Sequence, residues 1–161
     1  MSVKTARLSR ASSAELTEAF NKNYILDFKI KRSFYLNPKH KEFYDCVKSS
    51  KTKIGFVDGP AGSMKTYIAV YAGLELLKEE EYTKLVYIRS IVESAEKSLG
   101  SLPGEIDDKF SPYAIPLDEK VIEIAGNGAC NMLKQKGLIE AIPVNFVRGL
   151  TFNKTLVVVD E

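Results

Sequence analysis

The fold of this chain is decided by the stretch Ile54-Gly55-Phe56-Val57-Asp58-Gly59-Pro60-Ala61-Gly62-Ser63-Met64-Lys65-Thr66. A short apolar run meets a loop rich in Gly, Pro and Ser, and apolar residues then recur at helical spacing at Ile68, Ala69, Ala72 and Leu76. The pattern predicts a strand over residues 54–57, a loop and a helix.

Such a junction suits a polyphosphate. A loop of small residues lets backbone N–H groups turn inward, and the start of a helix adds unpaired donors and the positive end of its dipole. Lys65 is placed to reach the terminal phosphates and Thr66 to hold Mg²⁺, as in the pattern GxxxxGK[ST]. The nucleotide-binding residues predicted here are Gly59, Pro60, Ala61, Gly62, Ser63, Met64, Lys65, Thr66 and Tyr67.

Met64 stands where this pattern has its second Gly. A side chain is admissible there if the backbone has a negative φ. If φ is positive, or if phosphate passes close to the Cα atom, Met64 strains or obstructs the site. The sequence leaves both alternatives open.

A second part of the same site is predicted at the end of the chain, in Thr155-Leu156-Val157-Val158-Val159-Asp160-Glu161. Four apolar residues followed by two carboxylates are typical of a buried parallel strand that delivers acid to a phosphate site. We expect Asp160 to bind Mg²⁺ together with Thr66. Glu161 is expected to polarise the water that attacks the γ-phosphate, which favours hydrolysis of a nucleoside triphosphate.

Composition limits the remaining possibilities. With 161 residues, 45% of them hydrophobic, the chain can bury one core, and no apolar run approaches the roughly 20 residues that span a bilayer. The net charge of +2 does not by itself indicate a nucleic-acid binder. Cys46 and Cys130 have no metal-ligand spacing, so we expect both to be free, buried thiols in a reducing compartment, which predicts a soluble cytoplasmic protein. Because the chain has one His and no paired Cys ligands, we expect any metal to be Mg²⁺ held by oxygen atoms.

The segment before this site divides into two parts. Residues 1–23 predict a basic N-terminal tail and a short capped helix, and residues 24–161 the nucleotide-binding domain. In residues 24–44, aromatic residues are interleaved with Lys and Arg, a composition that can bind a single-stranded nucleic acid. The alternative is a strand over residues 24–30 and a helix from Pro38 whose rings simply pack.

The segment after the phosphate loop predicts an α/β fold. Strands are predicted over residues 84–89 and 138–143, with Arg89 at the edge where open sheets bind their ligands. Residues 90–116 read as loop-rich. Helices are predicted over residues 117–124 and 129–136, separated by Asn127-Gly128.

Several short motifs occur in the order found in one known family. They are Gly59-Pro60-Ala61-Gly62-Ser63-Met64-Lys65-Thr66-Tyr67, Leu99-Gly100-Ser101-Leu102-Pro103-Gly104, Pro112-Tyr113, Arg148-Gly149-Leu150-Thr151 and Val159-Asp160-Glu161. From about residue 36 onward the chain resembles the PhoH-like ATPases. The resemblance implies a P-loop NTPase fold with a parallel sheet flanked by helices, like the first domain of superfamily 1 helicases, and it implies ATP, Mg²⁺, a ring-shaped homo-oligomer and a role on RNA.

The departures from this family pattern concern the site. The family has Gly at position 64 and Gln at position 40, where His40 of this chain is a candidate adenine contact. Arg148 matches the Arg-Gly-x-Thr segment, which implies a catalytic role in sensing phosphate or in coupling to a neighbouring subunit. Arg89-Ser90-Ile91-Val92 is similar to phage-borne members, where the family otherwise has Pro after the Arg.

The sequence is therefore compatible with three functions. The leading one is an ATPase in which Lys65, Glu161 and Arg148 are catalytic and Thr66 and Asp160 hold Mg²⁺. The first alternative is a nucleotide-binding module without turnover, favoured by Met64 and by a domain that we expect to be incomplete after Glu161. The second is an RNA-binding accessory protein that uses residues 24–44.

Overall fold

The computed structural model of the chain describes residues 28–30, 37–90 and 106–160. The predictions for the tail and helix of residues 1–23, for the Leu99–Gly104 motif and for Glu161 lie outside these residues.

The described residues form a three-stranded parallel sheet with helices. In chain order the elements are α1 (Pro38–Lys48), α2 (Lys65–Lys78), β1 (Lys84–Arg89), α3 (Ile106–Ala125), α4 (Asn127–Gln135), β2 (Ile139–Pro143), a 3₁₀ helix (Val144–Phe146) and β3 (Thr155–Asp160). The strand order is β2-β1-β3, and β1 is parallel to both neighbours. This arrangement confirms the predicted α/β fold of the P-loop NTPase type.

The core lies between the sheet and helices α2, α3 and α4. Helix α2 buries nine of its residues, an apolar surface wide enough to cover the central strand. Because side chains alternate along a strand, Leu85 and Tyr87 of β1 face these helices, as do Leu156 and Val158 of β3. The opposite face of the sheet carries a smaller cluster of Val86, Ile88 and Ile142, against which Val147 and Phe152 pack.

The three strands and the helix from Pro38 lie where the sequence predicts them. Asn37 caps α1, because its side-chain oxygen accepts from the His40 backbone N–H at 2.8 Å, and Pro38 fills the first turn. Each strand is four to six apolar or β-branched residues bounded by turn residues, which is the strongest local signal for a strand.

The strand predicted over residues 54–57 is wrong. These residues form no strand, and among the described residues no backbone hydrogen bond joins them to a neighbour. Ile54 is 77% exposed and Phe56 is 96% exposed. An apolar run becomes a strand only when another strand pairs with it. Here β3 pairs with β1, and no described strand lies beside residues 54–57.

Three further predictions are corrected. Helix α3 begins at Ile106, not at residue 117, and runs through Pro112 and Pro116. Its later turns bury Leu117, Val121 and Ile124, and this burial outweighs the cost of proline inside a helix. Gly126, with φ +91°, divides α3 from α4, so that Asn127 begins a helix instead of interrupting one. Of the two thiols, only Cys130 is buried, and Cys46 is exposed.

Candidate functional site

The phosphate loop is the irregular segment between residue 58 and the start of α2 at Lys65. The first bond of the helix runs from the Ile68 N–H to the Met64 carbonyl at 2.9 Å. The N–H groups of Lys65 and Thr66 therefore have no acceptor within the helix and lie at the positive end of its dipole. Gly62, with φ +77°, makes the turn that brings the loop to this end.

Met64 adopts a left-handed backbone, with φ +63° and ψ +18°, and serves as the N-cap residue of α2. Of the two alternatives that the sequence leaves open, the structure shows the one with positive φ. For a residue with a Cβ atom this conformation costs about 1–2 kcal/mol. The Met64 side chain is half-buried and packs against the main core, which holds the strained residue in place.

Lys65 lies folded back over the phosphate loop. Its Nζ atom donates to the carbonyl oxygens of Gly59 at 2.7 Å and Pro60 at 2.9 Å, and to Ser63 Oγ at 3.4 Å. These acceptors are neutral, so the ammonium charge is hydrogen-bonded but not neutralised. An anion entering the loop would find a positive charge already held at its rim.

The side chains of Thr66 and Asp160 are joined by a hydrogen bond, although the two residues are far apart in sequence. Thr66 Oγ1 donates to the Asp160 carboxylate, 3.2 Å from Oδ1 and 3.1 Å from Oδ2. The first turn of α2 presents the hydroxyl, and the last residue of β3 presents the acid. The structure therefore brings together the two residues that the sequence predicts as Mg²⁺ ligands.

Tyr87 completes this arrangement and is not predicted from the sequence. Its hydroxyl donates to Asp160 Oδ2 at 2.5 Å, from a ring that is 1% exposed. The signal in the sequence that could have found it is its position, two residues before the end of β1 on the face that packs against the helices. An aromatic residue at such a position is normally assigned to the core, unless the hydrogen-bond partner of its hydroxyl is known.

The donor set fits Mg²⁺. A hydroxyl and a carboxylate are hard oxygen donors, and Mg²⁺ commonly takes one or two protein ligands and completes its shell with phosphate oxygens and water. Within the described ranges there is no group of three or more His, Cys, Asp or Glu residues that could hold a metal by protein ligands alone. Arg89 is the register partner of Asp160 at the ends of β1 and β3, so both residues lie at the same edge of the sheet.

Other predicted site residues are not joined to this centre. Arg148 is exposed on the segment between the 3₁₀ helix and β3, and no described hydrogen bond or ion pair joins it to Lys65, Thr66 or Asp160. His40 is half-buried in the first turn of α1, and its Nδ1 atom is buried without a hydrogen-bond partner. Tyr67 is 5% exposed and stacks on Tyr71 at a ring-centroid distance of 6.4 Å, so its side chain belongs to the core.

A polar network joins α1 to the C-terminal half of α2. The Tyr44 hydroxyl donates to Glu75, and Lys48 Nζ lies 2.5 Å from Glu79 Oε2 and 3.8 Å from Glu75 Oε2. Burial, followed by the bond to Glu75, raises the pKa of the Tyr44 phenol, and burial likewise raises the pKa of Tyr71. Both phenols therefore stay protonated, and the network fixes α1 against the helix that follows the phosphate loop.

Fold and site together define a P-loop protein: a parallel sheet delivers an acid to a Lys-Thr pair at the start of a helix. The chain belongs to the PhoH-like protein family, whose model matches residues 35–161.

Three relatives illustrate the match. A PhoH-like protein of Bacillus subtilis is 35% identical over 75% of this chain and 37% of its own length. A PhoH-like protein of Mycobacterium tuberculosis is 32% identical over 84% of this chain and 39% of its own. Protein PhoH of Escherichia coli K12 is 31% identical over 66% of this chain and 30% of its own. The chain thus spans less than half the length of these relatives.

Within the described segments, no helix is both long enough and apolar enough to cross a bilayer.

Proposed function

We propose that this chain binds ATP with Mg²⁺ and hydrolyses it. The observation that carries the proposal is the contact of Thr66 Oγ1 with the Asp160 carboxylate at 3.1–3.2 Å. Two groups that are separate in sequence meet at the start of a helix, which is where a phosphate binds and where its metal is needed.

Lys65 provides the charge for the phosphates. In the described structure its ammonium group is bonded to the carbonyl oxygens of Gly59 and Pro60, neither of which is charged. Phosphate oxygens offer this group a charge-assisted bond, which is about twice as strong as a neutral one. Lys65 therefore exchanges the two carbonyls for the β- and γ-phosphates when ATP binds.

Thr66 and Asp160 would hold Mg²⁺, which neutralises the charge that develops on the phosphates. Glu161, the next residue after Asp160, is proposed to orient the attacking water, and Arg148 to stabilise the transferred phosphoryl group from the neighbouring loop or subunit. The buried Nδ1 atom of His40 lacks a partner, which supports its proposed contact with adenine.

The experiment that tests nucleotide binding compares Lys65→Ala with Lys53→Ala by calorimetry of ATP in the presence of Mg²⁺. Lys53 is an exposed lysine just before the phosphate loop, and its Nζ atom donates to a local carbonyl, that of Ser50, at 3.3 Å. We expect Lys65→Ala to abolish binding and Lys53→Ala to leave it unchanged. Equal affinity in the two variants would remove the assignment of the site.

A second function, nucleotide binding without turnover, is favoured by Met64. Met64 has a left-handed backbone at the N-cap position, and its side chain occupies space near the loop that Gly would leave open. Gly would also leave the loop backbone more conformational freedom. Phosphate release followed on the protein that binds ATP separates the two functions, and Glu161→Gln should retain binding while stopping release.

An action on single-stranded RNA is proposed on narrower grounds. Lys39, Lys51 and Lys53 are exposed and can contact phosphates. The described rings of residues 24–44 support packing instead: Phe28 is 5% exposed, and Tyr44 packs on Tyr71 at 6.1 Å. If lysines carry the binding, the logarithm of the RNA affinity falls linearly with the logarithm of salt concentration, and charge reversal at Lys51 and Lys53 lowers that slope.

A ring-shaped homo-oligomer in the cytoplasm completes the proposal. The ring rests on the family resemblance, and the compartment on two cysteines that are both free. Light scattering on the eluting protein, with and without Mg²⁺ and ATP, tests the assembly.

A further inference from the structure

The Asp160 carboxylate receives two hydroxyl groups that act on it differently. Thr66 Oγ1 is almost equidistant from the two oxygens, at 3.2 Å and 3.1 Å, so its hydrogen bond does not distinguish them. The Tyr87 hydroxyl donates to Oδ2, at 2.5 Å. The distance is that of a charge-assisted O–H···O⁻ bond.

The sheet explains why Tyr87 reaches this oxygen. Tyr87 is the register partner of Val158, and Asp160 lies two residues further along β3 on the same face. With strands about 4.8 Å apart and a rise of about 3.3 Å per residue, such diagonal neighbours are about 8 Å apart, which is within reach of an aromatic side chain. The ring belongs to the main core and is 1% exposed, so packing fixes the direction of the hydroxyl.

We infer that Tyr87 is a positioning residue of the Mg²⁺ site, which binds Oδ2 of Asp160 and leaves Oδ1 to face the metal or one of its waters. The inference rests on the proposed function. A carboxylate oxygen that accepts a short hydrogen bond is a poorer metal ligand than the other oxygen of the same carboxylate. The hydrogen bond from Tyr87 also restrains rotation of the Asp160 carboxylate about χ2. Tyr87 thus gives the site one defined ligand atom before nucleotide arrives.

If Tyr87 had a purely structural role, its loss would have a different effect from the loss of a positioning residue. A buried phenol needs an acceptor, and Asp160 could serve merely to satisfy it. In that case loss of the hydroxyl changes the stability of the fold but leaves the metal affinity of the folded protein unchanged. Tyr44 offers a matched comparison, because its hydroxyl also donates to a carboxylate, that of Glu75, in the network that joins α1 to α2.

The experiment uses the full chain as wild type, Tyr87→Phe and Tyr44→Phe. Mg²⁺ is titrated calorimetrically into each protein saturated with the non-hydrolysable analogue AMP-PNP, and the affinity for AMP-PNP is measured separately in EDTA. Phe keeps the ring and its packing, and retained binding in EDTA shows that the variant is folded.

We expect Tyr87→Phe to weaken Mg²⁺ binding about 10- to 100-fold, the usual effect of losing a group that orients a metal ligand, with affinity in EDTA unchanged. Tyr44→Phe should leave the Mg²⁺ affinity unchanged. Wild-type Mg²⁺ affinity in Tyr87→Phe, or an equal loss with and without Mg²⁺, would overturn the inference while leaving the nucleotide site standing. A wild-type protein that binds no AMP-PNP under either condition would remove the proposed function and the role of Tyr87 with it.

Discussion

The Thr66 hydroxyl and the Asp160 carboxylate, 94 residues apart in sequence, lie within 3.2 Å of each other. One residue belongs to the first turn of α2 and the other to the last position of β3. The contact is possible because α2 packs on the face of the sheet to which Asp160 points, so that the helix start and the strand end share one edge.

Removing the Asp160 charge tests this contact. Asp160→Asn keeps the shape of the side chain but replaces one oxygen by an amide donor that repels a cation. We expect the Mg²⁺ dependence of nucleotide binding to fall at least about tenfold, with metal-free binding retained through Lys65. Asp118→Asn is the control, because Asp118 pairs with Lys134 at 2.6 Å and no described hydrogen bond or ion pair joins it to Lys65, Thr66 or Asp160. The same loss of Mg²⁺ dependence in both variants would contradict the assignment.

The strained backbone of Met64 yields a second prediction. Gly adopts φ near +63° without a steric penalty, so Met64→Gly frees the loop and opens space near the phosphates. We expect nucleotide affinity to rise, by about tenfold if binding adds roughly 1.4 kcal/mol of strain at a residue with a Cβ atom. Calorimetry with Mg²⁺ and ATP measures it.

Met64→Ala is the matched control for that measurement. Ala removes the long side chain but keeps the Cβ atom, so it retains the backbone strain. An affinity gain in Gly alone identifies backbone strain as the obstacle, and equal gains in both variants identify the size of the side chain. Unchanged affinity in both would show that Met64 is compatible with bound phosphate.

The exposed segment before the phosphate loop gives a prediction about stability. Phe56 is 96% exposed, so Phe56→Ser should change the free energy of unfolding by no more than about 0.5 kcal/mol. Leu133→Ala, at a core position with 0% exposure, should cost about 2–5 kcal/mol in the same denaturant titration. A cost above about 2 kcal/mol for Phe56→Ser would show that the residue is buried in solution.

The two thiols should differ in reactivity. Cys46 is exposed, whereas Cys130 is 2% exposed and its pKa is raised by burial and by the nearby Asp118 carboxylate. At pH 8 an alkylating reagent should therefore modify one thiol per native chain, and Cys46→Ser should abolish this fast phase. Two equally fast thiols would contradict the burial of Cys130.

The same raised pKa makes stability depend on pH. The unfolded Cys130 thiol ionises near pH 8.5, while the folded thiol resists ionisation, so the stabilisation is complete below that pH and is lost as pH rises above it. We expect the free energy of unfolding to fall as pH rises above about 8.5. In Cys130→Ala this fall should be smaller, and an identical fall would assign it to other groups.

Much of the fold could be predicted because its signals are local. The strands at Lys84–Arg89 and Thr155–Asp160 are runs of apolar residues, and Lys65-Thr66 and Asp160 carry their chemistry in residue type and spacing. What could not be predicted depends on distant partners. Residues 54–57 have the composition of a strand but no described neighbour, and the prolines of α3 are tolerated because of the core that its later turns reach.

In the site, too, the features that could not be predicted depend on parts of the chain that are distant in sequence. The positive φ of Met64 follows from how the loop joins α2, which residue type alone does not determine. Tyr87 reads as a core aromatic, and its bond to Asp160 depends on the register of β1 against β3.

The most direct test of the central claim is calorimetric titration of the wild-type chain with ATP, with and without Mg²⁺, and with phosphate release followed on the same sample. If Lys65, Thr66 and Asp160 form the site, the chain binds ATP, Mg²⁺ strengthens this binding, and phosphate is released. ATP binding that is indifferent to Mg²⁺ would contradict the site formed by Thr66 and Asp160. The absence of any binding would contradict the assignment of this loop as a nucleotide site.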